Sequence, residues 1–230
     1  MTNTLEKDKE KRRIHYSVAM IGGFLGGFAI LIHGNLLASA QTSNLISLVI
    51  AFLGKDALHV LMHLGSMVIY MMGLSLTVLI PRYTHLNLRL CSLAIDAVTL
   101  IMVALIPSTV DDFVAMYPIF FAMAFQWNTF SGADGYVSST IFSTNNLRQF
   151  TTAITSYGCD HDKKWLHKAS FFGGTLLFYH LGVALAFFAC RSYHRYGAFF
   201  GYFIIAVSLY LNVADILKEM QIKTAKKIKA

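Results

Sequence analysis

Charge is what this sequence has least of: Asp, Glu, Lys and Arg make up 13% of its 230 residues, against 56% apolar residues. With a mean hydropathy of +0.55, there is too little polar surface to cover a water-soluble globule, so lipid must be part of the solvent. Cysteine is scarce too. Cys91, Cys159 and Cys190 are widely spaced, odd in number and form no Cys-x-x-Cys pair, which argues against a disulfide framework or a thiolate metal site. There is no Gly-x-x-x-x-Gly-Lys-Ser/Thr loop and no serine-nucleophile motif, so neither ATP-driven transport by this chain alone nor serine hydrolysis is expected. No cofactor is implied.

The net charge of +7 does not point to nucleic acid, because the basic residues gather from Lys7 to Arg13 and from Lys218 to Lys229. Positive flanks beside apolar spans mark cytoplasmic tails. The expected organisation is a multi-pass protein of the cell membrane with both termini cytoplasmic: basic tails at 1–15 and 218–230 enclose one transmembrane domain at 16–217. The bilayer is the expected partner, with the tails in contact with anionic lipid, and a homo-oligomer is compatible with this surface. Lys11 to Arg13, an apolar run and Ala38-Ser39-Ala40 imitate a cleaved secretory signal. The pairs Gly22-Gly23 and Gly26-Gly27 favour a packed span instead, since small residues four apart let helix backbones approach.

The three prolines punctuate. Pro81 closes a second span, Pro107 closes a third, and Pro118 stands near the start of a fourth, where proline is tolerated. Apolar runs long enough for a hydrocarbon core of roughly 30 Å are read at Tyr16 to Leu37, Ala57 to Ile80, Leu88 to Ile106, Phe113 to Phe130, Leu166 to Cys190 and Tyr196 to Leu217.

Two leftover stretches, Ala38 to Gly54 and Ser131 to Gly158, are too polar for a span and too patterned for a loop. Each has small polar residues, then Thr, Ser or Asn suited to capping, then about ten residues of helical character, which is a half-helix. They also resemble one another: Thr42-Ser43-Asn44-Leu45 pairs with Thr144-Asn145-Asn146-Leu147, and Ala51 with Ala153 at the same offset. The expected fold is therefore an all-α membrane protein of about six transmembrane helices plus two re-entrant half-helices. Repeat one covers 16–106 and repeat two 113–217; three crossings per unit would invert one against the other.

At these residues the sequence resembles the YoaK family of bacterial membrane proteins, a family defined by a domain of unknown function, from about Ile14 to Leu217. That family has a glycine-rich first span leading to Thr-Gly-Asn, and a Gln-bearing segment before a second Thr-Gly-Asn-Leu. Here the counterparts are Gln41-Thr42-Ser43-Asn44 and Thr144-Asn145-Asn146-Leu147, preceded by Phe125-Gln126-Trp127-Asn128. Ser43 and Asn145 replace the two glycines, and both adopt left-handed backbone less readily. The resemblance implies a polytopic membrane protein and supplies no substrate.

The half-helix starts at Asn44 and Asn146 would offer free amides and partial positive charge to a polar or anionic group. This nominates Gln41, Thr42, Ser43, Asn44, Thr144, Asn145 and Asn146 as a binding site for a small solute. The bland alternative is that they only cap helices and join spans. Asp96 lies mid-span, where an aspartate costs about 2.5 to 3.5 kcal/mol on insertion scales. It is expected to be buried, and to carry a proton, hold a cation or pair with Arg148. Gln126 and Asn128, two apart, cannot share a helix face, and the resemblance favours Gln126. Asp56, His59 and His63 fall on one helix face but lack the His-Glu-x-x-His pattern, so a hydrogen-bonded cluster is preferred to a metal site. Cys159-Asp160-His161-Asp162 reads as a solvated turn, and His33 and His180 as satisfied packing residues. The leading expectation is a secondary transporter or permease for a small polar or anionic solute. The alternatives are an intramembrane metal-dependent enzyme using Asp56, His59 and His63, and a structural or accessory membrane subunit.

Overall fold

The structure, a computed structural model, describes residues 2–34 and 41–228, with side chains at 8–34, 41–222 and 224. It is helical nearly throughout: α1 (Thr2–His33), α2 (Gln41–Leu53), α3 (Ala57–Tyr83), α4 (Leu88–Leu105), α5 (Asp112–Ala115), α6 (Tyr117–Thr129), α7 (Thr144–Asp160), α8 (Lys163–Tyr193) and α9 (Gly201–Ile228). Helix is the economical choice in lipid because it satisfies every backbone group within one segment. Between α6 and α7 a hairpin pairs β1 (Gly132–Ala133) with β2 (Tyr136–Val137). Asp134 and Gly135 turn it with φ of 56° and 75°, the left-handed pair that an Asp-Gly hairpin turn requires.

Among the described residues, four helical stretches are long and apolar enough to cross a membrane: Asp8–His33, Ala57–Tyr83, Leu88–Leu105 and Lys163–Ile222. They mark the chain as a membrane protein. The last, of 60 residues, joins α8 to α9 through the 3-10 segment His194–Phe200. The expected fourth span from Phe113 to Phe130 is interrupted at Met116. It is broken into α5 and a 13-residue α6, because Pro118 sits in the first turn of α6 and has no amide to continue an upstream helix. The short α6 is sustained by burial, with Ile119, Phe120 and Ala122 to Gln126 all enclosed.

α1 is enclosed in the same way: 78% of its apolar window is buried, against 22% for α3. The two inner helices therefore carry the core, with Phe24, Leu25 and Phe28 from α1 meeting Ile119, Phe120 and Met123 from α6. Around them α8 and α9 pack on α1, α3 and α4 pack on α6, and α4 meets α9. α2 lies on α3, and α7 lies on α8. One end of the bundle gathers the N-terminal part of α1 and the C-terminal part of α9, where Lys218 pairs with Glu10, Arg12 with Asp134, and Arg89 with Asp215 and Glu219.

The half-helices differ in detail from expectation. α2 begins at Gln41 and α7 at Thr144, so Asn44 and Asn146 lie inside the first turn rather than at the helix start, and α7 runs 17 residues. The end of the expected first span at Leu37, the approach from Ala38 and the cleavage-like Ala38-Ser39-Ala40 lie outside the described residues.

The contacts of the two inner helices recur at fixed offsets. A Cβ at Gly65 of α3 would lie 2.5 Å from the Tyr117 hydroxyl oxygen of α6, and one at Gly174 of α8 would overlap the Tyr16 ring of α1. A Cβ at Gly73 would lie 2.8 Å from the Phe121 carbonyl, and one at Gly182 would collide with that of Met20. Tyr117 donates to the Met62 carbonyl at 2.8 Å, and Tyr16 to that of Phe171 at 3.2 Å. Thr99 donates to the Pro118 carbonyl at 3.4 Å, and Ser17 bonds Ser208 at 3.0 Å. From 16, 17 and 20 to 117, 118 and 121 the step is 101 residues; from 62, 65, 73 and 99 to 171, 174, 182 and 208 it is 109.

Candidate functional site

The polar interior is organised by residues 138–143, the approach to α7. Gly22, in the middle of α1, lies under the Thr140 carbonyl, where a Cβ would collide with it. Gln126 of α6 donates from Nε2 to the Val18 carbonyl at 3.3 Å and to Thr140 Oγ1 at 2.9 Å. Asn146 donates from Nδ2 to the carbonyls of Ser139 at 2.7 Å and Phe142 at 3.0 Å, while its Oδ1 accepts from Ser138 at 2.9 Å. Those two carbonyls fix the amide orientation, so Ser138 must give its proton to Asn146 and accept from His15 Nε2, 3.0 Å away. His15 Nδ1 is left buried without a partner. Asn146 is thus a clamp whose hydrogen-bonding capacity the protein already uses.

The amides at the start of α7 are otherwise placed. Its cap residue Ser143 makes no side-chain capping bond, and its buried Oγ has no partner among the described residues. Thr144 is exposed, Asn145 is half-buried and accepts from Arg148 at 2.9 Å, and Arg148 itself is exposed. An ion pair between Asp96 and Arg148 is therefore corrected. Arg148 follows the buried Asn146 by two residues, which turns it to the other side of α7. On α2, Thr42 and Ser43 are exposed. Asn44 is buried at 8% exposure, and its Nδ2 and both amide atoms of Gln41 have no partner among the described residues. The structure joins Gln126 to Asn146 through the 138–142 segment and leaves Gln41 and Asn44 on a separate helix.

Asp96 is fully buried on α4, and neither carboxyl oxygen has a hydrogen-bond donor among the described residues. Ser92, one turn earlier on the same face, is buried with an unpartnered hydroxyl. α4 is tied to α9 on both sides of this point: Arg89 Nη1 donates to Asp215 at 2.6 Å, and the Tyr202 hydroxyl donates to the Ala97 carbonyl at 2.6 Å. Between the same ties on α9, Ser208 accepts from Ser17, and Asn212 donates to the Ser208 carbonyl at 2.8 Å.

The remaining candidates behave as local structure. Asp56 caps α3, accepting from His59 N at 3.2 Å and meeting His59 Nδ1 at 2.7 Å; the His59 backbone amide, then its ring, hold the carboxyl below its usual range. His63 packs edge-on against Phe113 with ring centroids 4.6 Å apart. Among the described residues no three His, Cys, Asp or Glu side chains are grouped to hold a metal. Asp160 bonds Asp162 N and the Trp165 indole, His161 adopts φ 54°, and Asp162 caps α8, as a turn requires. His180 bonds the Leu176 carbonyl within its own helix, whereas His33 meets Asp112 at 2.9 Å. Asn128 turns away from Gln126 to donate to Thr77 at 2.6 Å.

Sequence reasoning missed His15, Ser138, Thr140 and Asn212. His15 was masked by its proximity to the basic tail. A second signal was readable: Gly-Ser-x-x-x-Tyr-x-x-Gly at 65–73 recurs as Gly-Thr-x-x-x-Tyr-x-x-Gly at 174–182.

Matched over residues 14–211, the chain belongs to the family described as "Protein of unknown function (DUF1275)". No curated protein and no solved structure matches it.

Proposed function

We propose that this membrane protein is a secondary transporter or permease for a small polar solute, built from two inverted copies of one helical unit. The observation that carries the reading is the constancy of the 101- and 109-residue steps in contacts that join the inner helix of one half to the outer helices of the other. An exchange of α1 with α6, α2 with α7, α3 with α8 and α4 with α9 leaves the pattern of packing neighbours unchanged. Such two-fold pseudo-symmetry is the architecture of alternating-access carriers. Its YoaK-like motifs fall on α2, α6 and α7.

In this reading α2 and α7 are re-entrant. Arg12 belongs to the ion-paired end, and Gly22, beneath Thr140, is ten residues further along α1, roughly 15 Å at 1.5 Å per residue. That is about half of a 30 Å core, so the approach to α7 reaches the midplane. The N-terminal part of α1 and the C-terminal part of α9 gather at one end, which requires an even number of crossings, and the basic tails make that end cytoplasmic. The solute is held by the uncapped amides at the start of α7, by Ser143 and by the α2 counterparts Gln41 and Asn44.

Reconstituted protein tests this with a panel of anions, metabolites and toxic analogues, after growth comparison of a deletion strain and its complement has narrowed the panel. Ser143→Ala and Asn44→Ala remove atoms that bond nothing in the described structure, so both variants should fold normally and lose most of the uptake. Full uptake in both would refute the site. Asn146→Ala should instead lower stability, because it releases the 138–142 segment.

A further inference from the structure

Among the described residues, the buried side-chain polar atoms left unpaired along α4, α6 and α9 are all oxygens. Asp96 contributes two, Ser92 one, Gln126 its Oε1 and Asn212 its Oδ1, and each of these four residues is at most 1% exposed. The two amide orientations are not arbitrary. Gln126 donates to the Val18 carbonyl and Asn212 to the Ser208 carbonyl, so in each the oxygen is what remains. The two amides thus leave only acceptors, Asp96 leaves a carboxyl, and the Ser92 hydroxyl can either donate or accept.

A buried carboxylate without a donor or counter-charge is strongly unfavourable, and the charged groups around this one are committed elsewhere. Arg89, at the near end of α4, is bonded to Asp215 and Glu219 on α9, and Arg195 of the 3-10 segment donates to the Ile106 carbonyl at 2.7 Å. Tyr202 of α9 donates to Ala97 O, and Tyr117 of α6 to Met62 O. α6 carries no ionisable group besides Tyr117. The titratable residues of α3 are Tyr70, which is buried on it, and His59, His63, Arg82 and Tyr83 toward its two ends; none donates to Asp96.

We propose that Asp96 is an occluded binding site for a hard monovalent cation, a proton or a sodium ion, completed by Ser92 and by oxygens from α6 or α9. The cation satisfies the carboxyl and converts the excess of acceptors into ligands. Its use as a coupling ion rests on the transporter reading; its binding does not. Mechanically the position is suited to coupling, because α4, which carries Asp96, packs on α9 and the proposed two-fold exchanges these two helices, so relative movement of the halves opens or closes its access.

The test is infrared difference spectroscopy on full-length protein in liposomes, following the carbonyl stretch of a protonated carboxyl, with weakly buffered solution monitored for released protons. A proton site gives a band that titrates with pH and is indifferent to sodium. A sodium site gives a band that disappears on adding sodium chloride, but not choline chloride, with release of a proton to the solution. Either band must vanish in Asp96→Asn, and in Asp96→Glu it must persist at a shifted position, which guards against a misfolded asparagine variant. A band that neither pH nor sodium moves, or one that survives in Asp96→Asn, overturns the proposal. Failure of the uptake assay would leave this result untouched.

Discussion

The α1–α8 and α3–α6 interfaces occupy matching positions and each has a tyrosine bonded to a backbone carbonyl, but α1–α8 has the closer backbone contact and α3–α6 adds a side-chain hydrogen bond. On α1, Gly23 lies under the Tyr179 carbonyl and Gly27 would bring a Cβ within 3.2 Å of Ala186 Cβ. At the corresponding places on α6 stand Ala124 and Asn128, and Asn128 reaches Thr77 at 2.6 Å where the other pair merely touches. In lipid these are alternative ways to hold helices together: small residues allow dispersion contact along the backbone, and polar side chains bond across a wider gap. The first kind of interface tolerates no added atom. The second can lengthen and re-form, which makes the α3–α6 side the more adjustable half.

The sharpest way to break that contrast is to add one methyl group to each interface. Gly182→Ala collides with the Met20 carbonyl and the Phe24 amide, so it should cost about 3 kcal/mol, the upper end for overpacking. Gly73→Ala meets Phe121 O at 2.8 Å and Ala124 Cβ at 3.0 Å and should cost about 1 kcal/mol. Thermal unfolding in one detergent orders them, and equal losses would remove the distinction. Next in size, Gly22→Ala pushes Thr140 out and should cost about 2 kcal/mol. It should also raise amide exchange over 138–146; unchanged exchange there would disconnect α1 from the approach to α7.

Smaller effects test the matching itself. Tyr16→Phe and Tyr117→Phe each delete a hydroxyl bonded to the equivalent carbonyl of an outer helix, so each should cost about 0.6 kcal/mol, with neither dominating. Asn128→Ala with Thr77→Val, run as a double-mutant cycle, should show a coupling of similar size. The faintest effect concerns the caps. Asp56 starts α3 after α2, and Asp162 starts α8 after α7. Bonds from the His59 amide and from Lys164 lower their carboxyl pKa values below the usual 3.8. A lowered folded-state pKa stabilises above the unfolded value and is lost as pH falls through the folded one. Amide exchange at the starts of α3 and α8 should therefore quicken together in acid below 3.8, and Asp56→Asn and Asp162→Asn should flatten that response.

Much of this was legible in the residues themselves. The apolar runs, the Thr-x-Asn echo at 42–44 and 144–146 and the burial of Asp96 could be read directly, since each depends on composition or spacing along one helix. The direction of Arg148 could not, because it depends on where α7 begins. Nor could the role of Asn146, whose three partners lie four to eight residues upstream in a segment with no periodicity of its own. Pro118 was visible, but the break at Met116 was not: a proline in a first turn suits the helix it starts and has no amide to bond the turn before it.

By itself the sequence determined that the chain lives in lipid, that its helices are apolar along most of their length, and that certain short motifs occur twice. These are properties of transfer from water and of local spacing. Only the tertiary structure decided that α1 and α6 lie innermost, that Gly65 and Gly174 receive tyrosines from opposite halves, and that Asp96 is left without a donor among the described residues. Partners for a buried polar atom come from other helices, and which helix arrives is settled by packing the whole bundle at once.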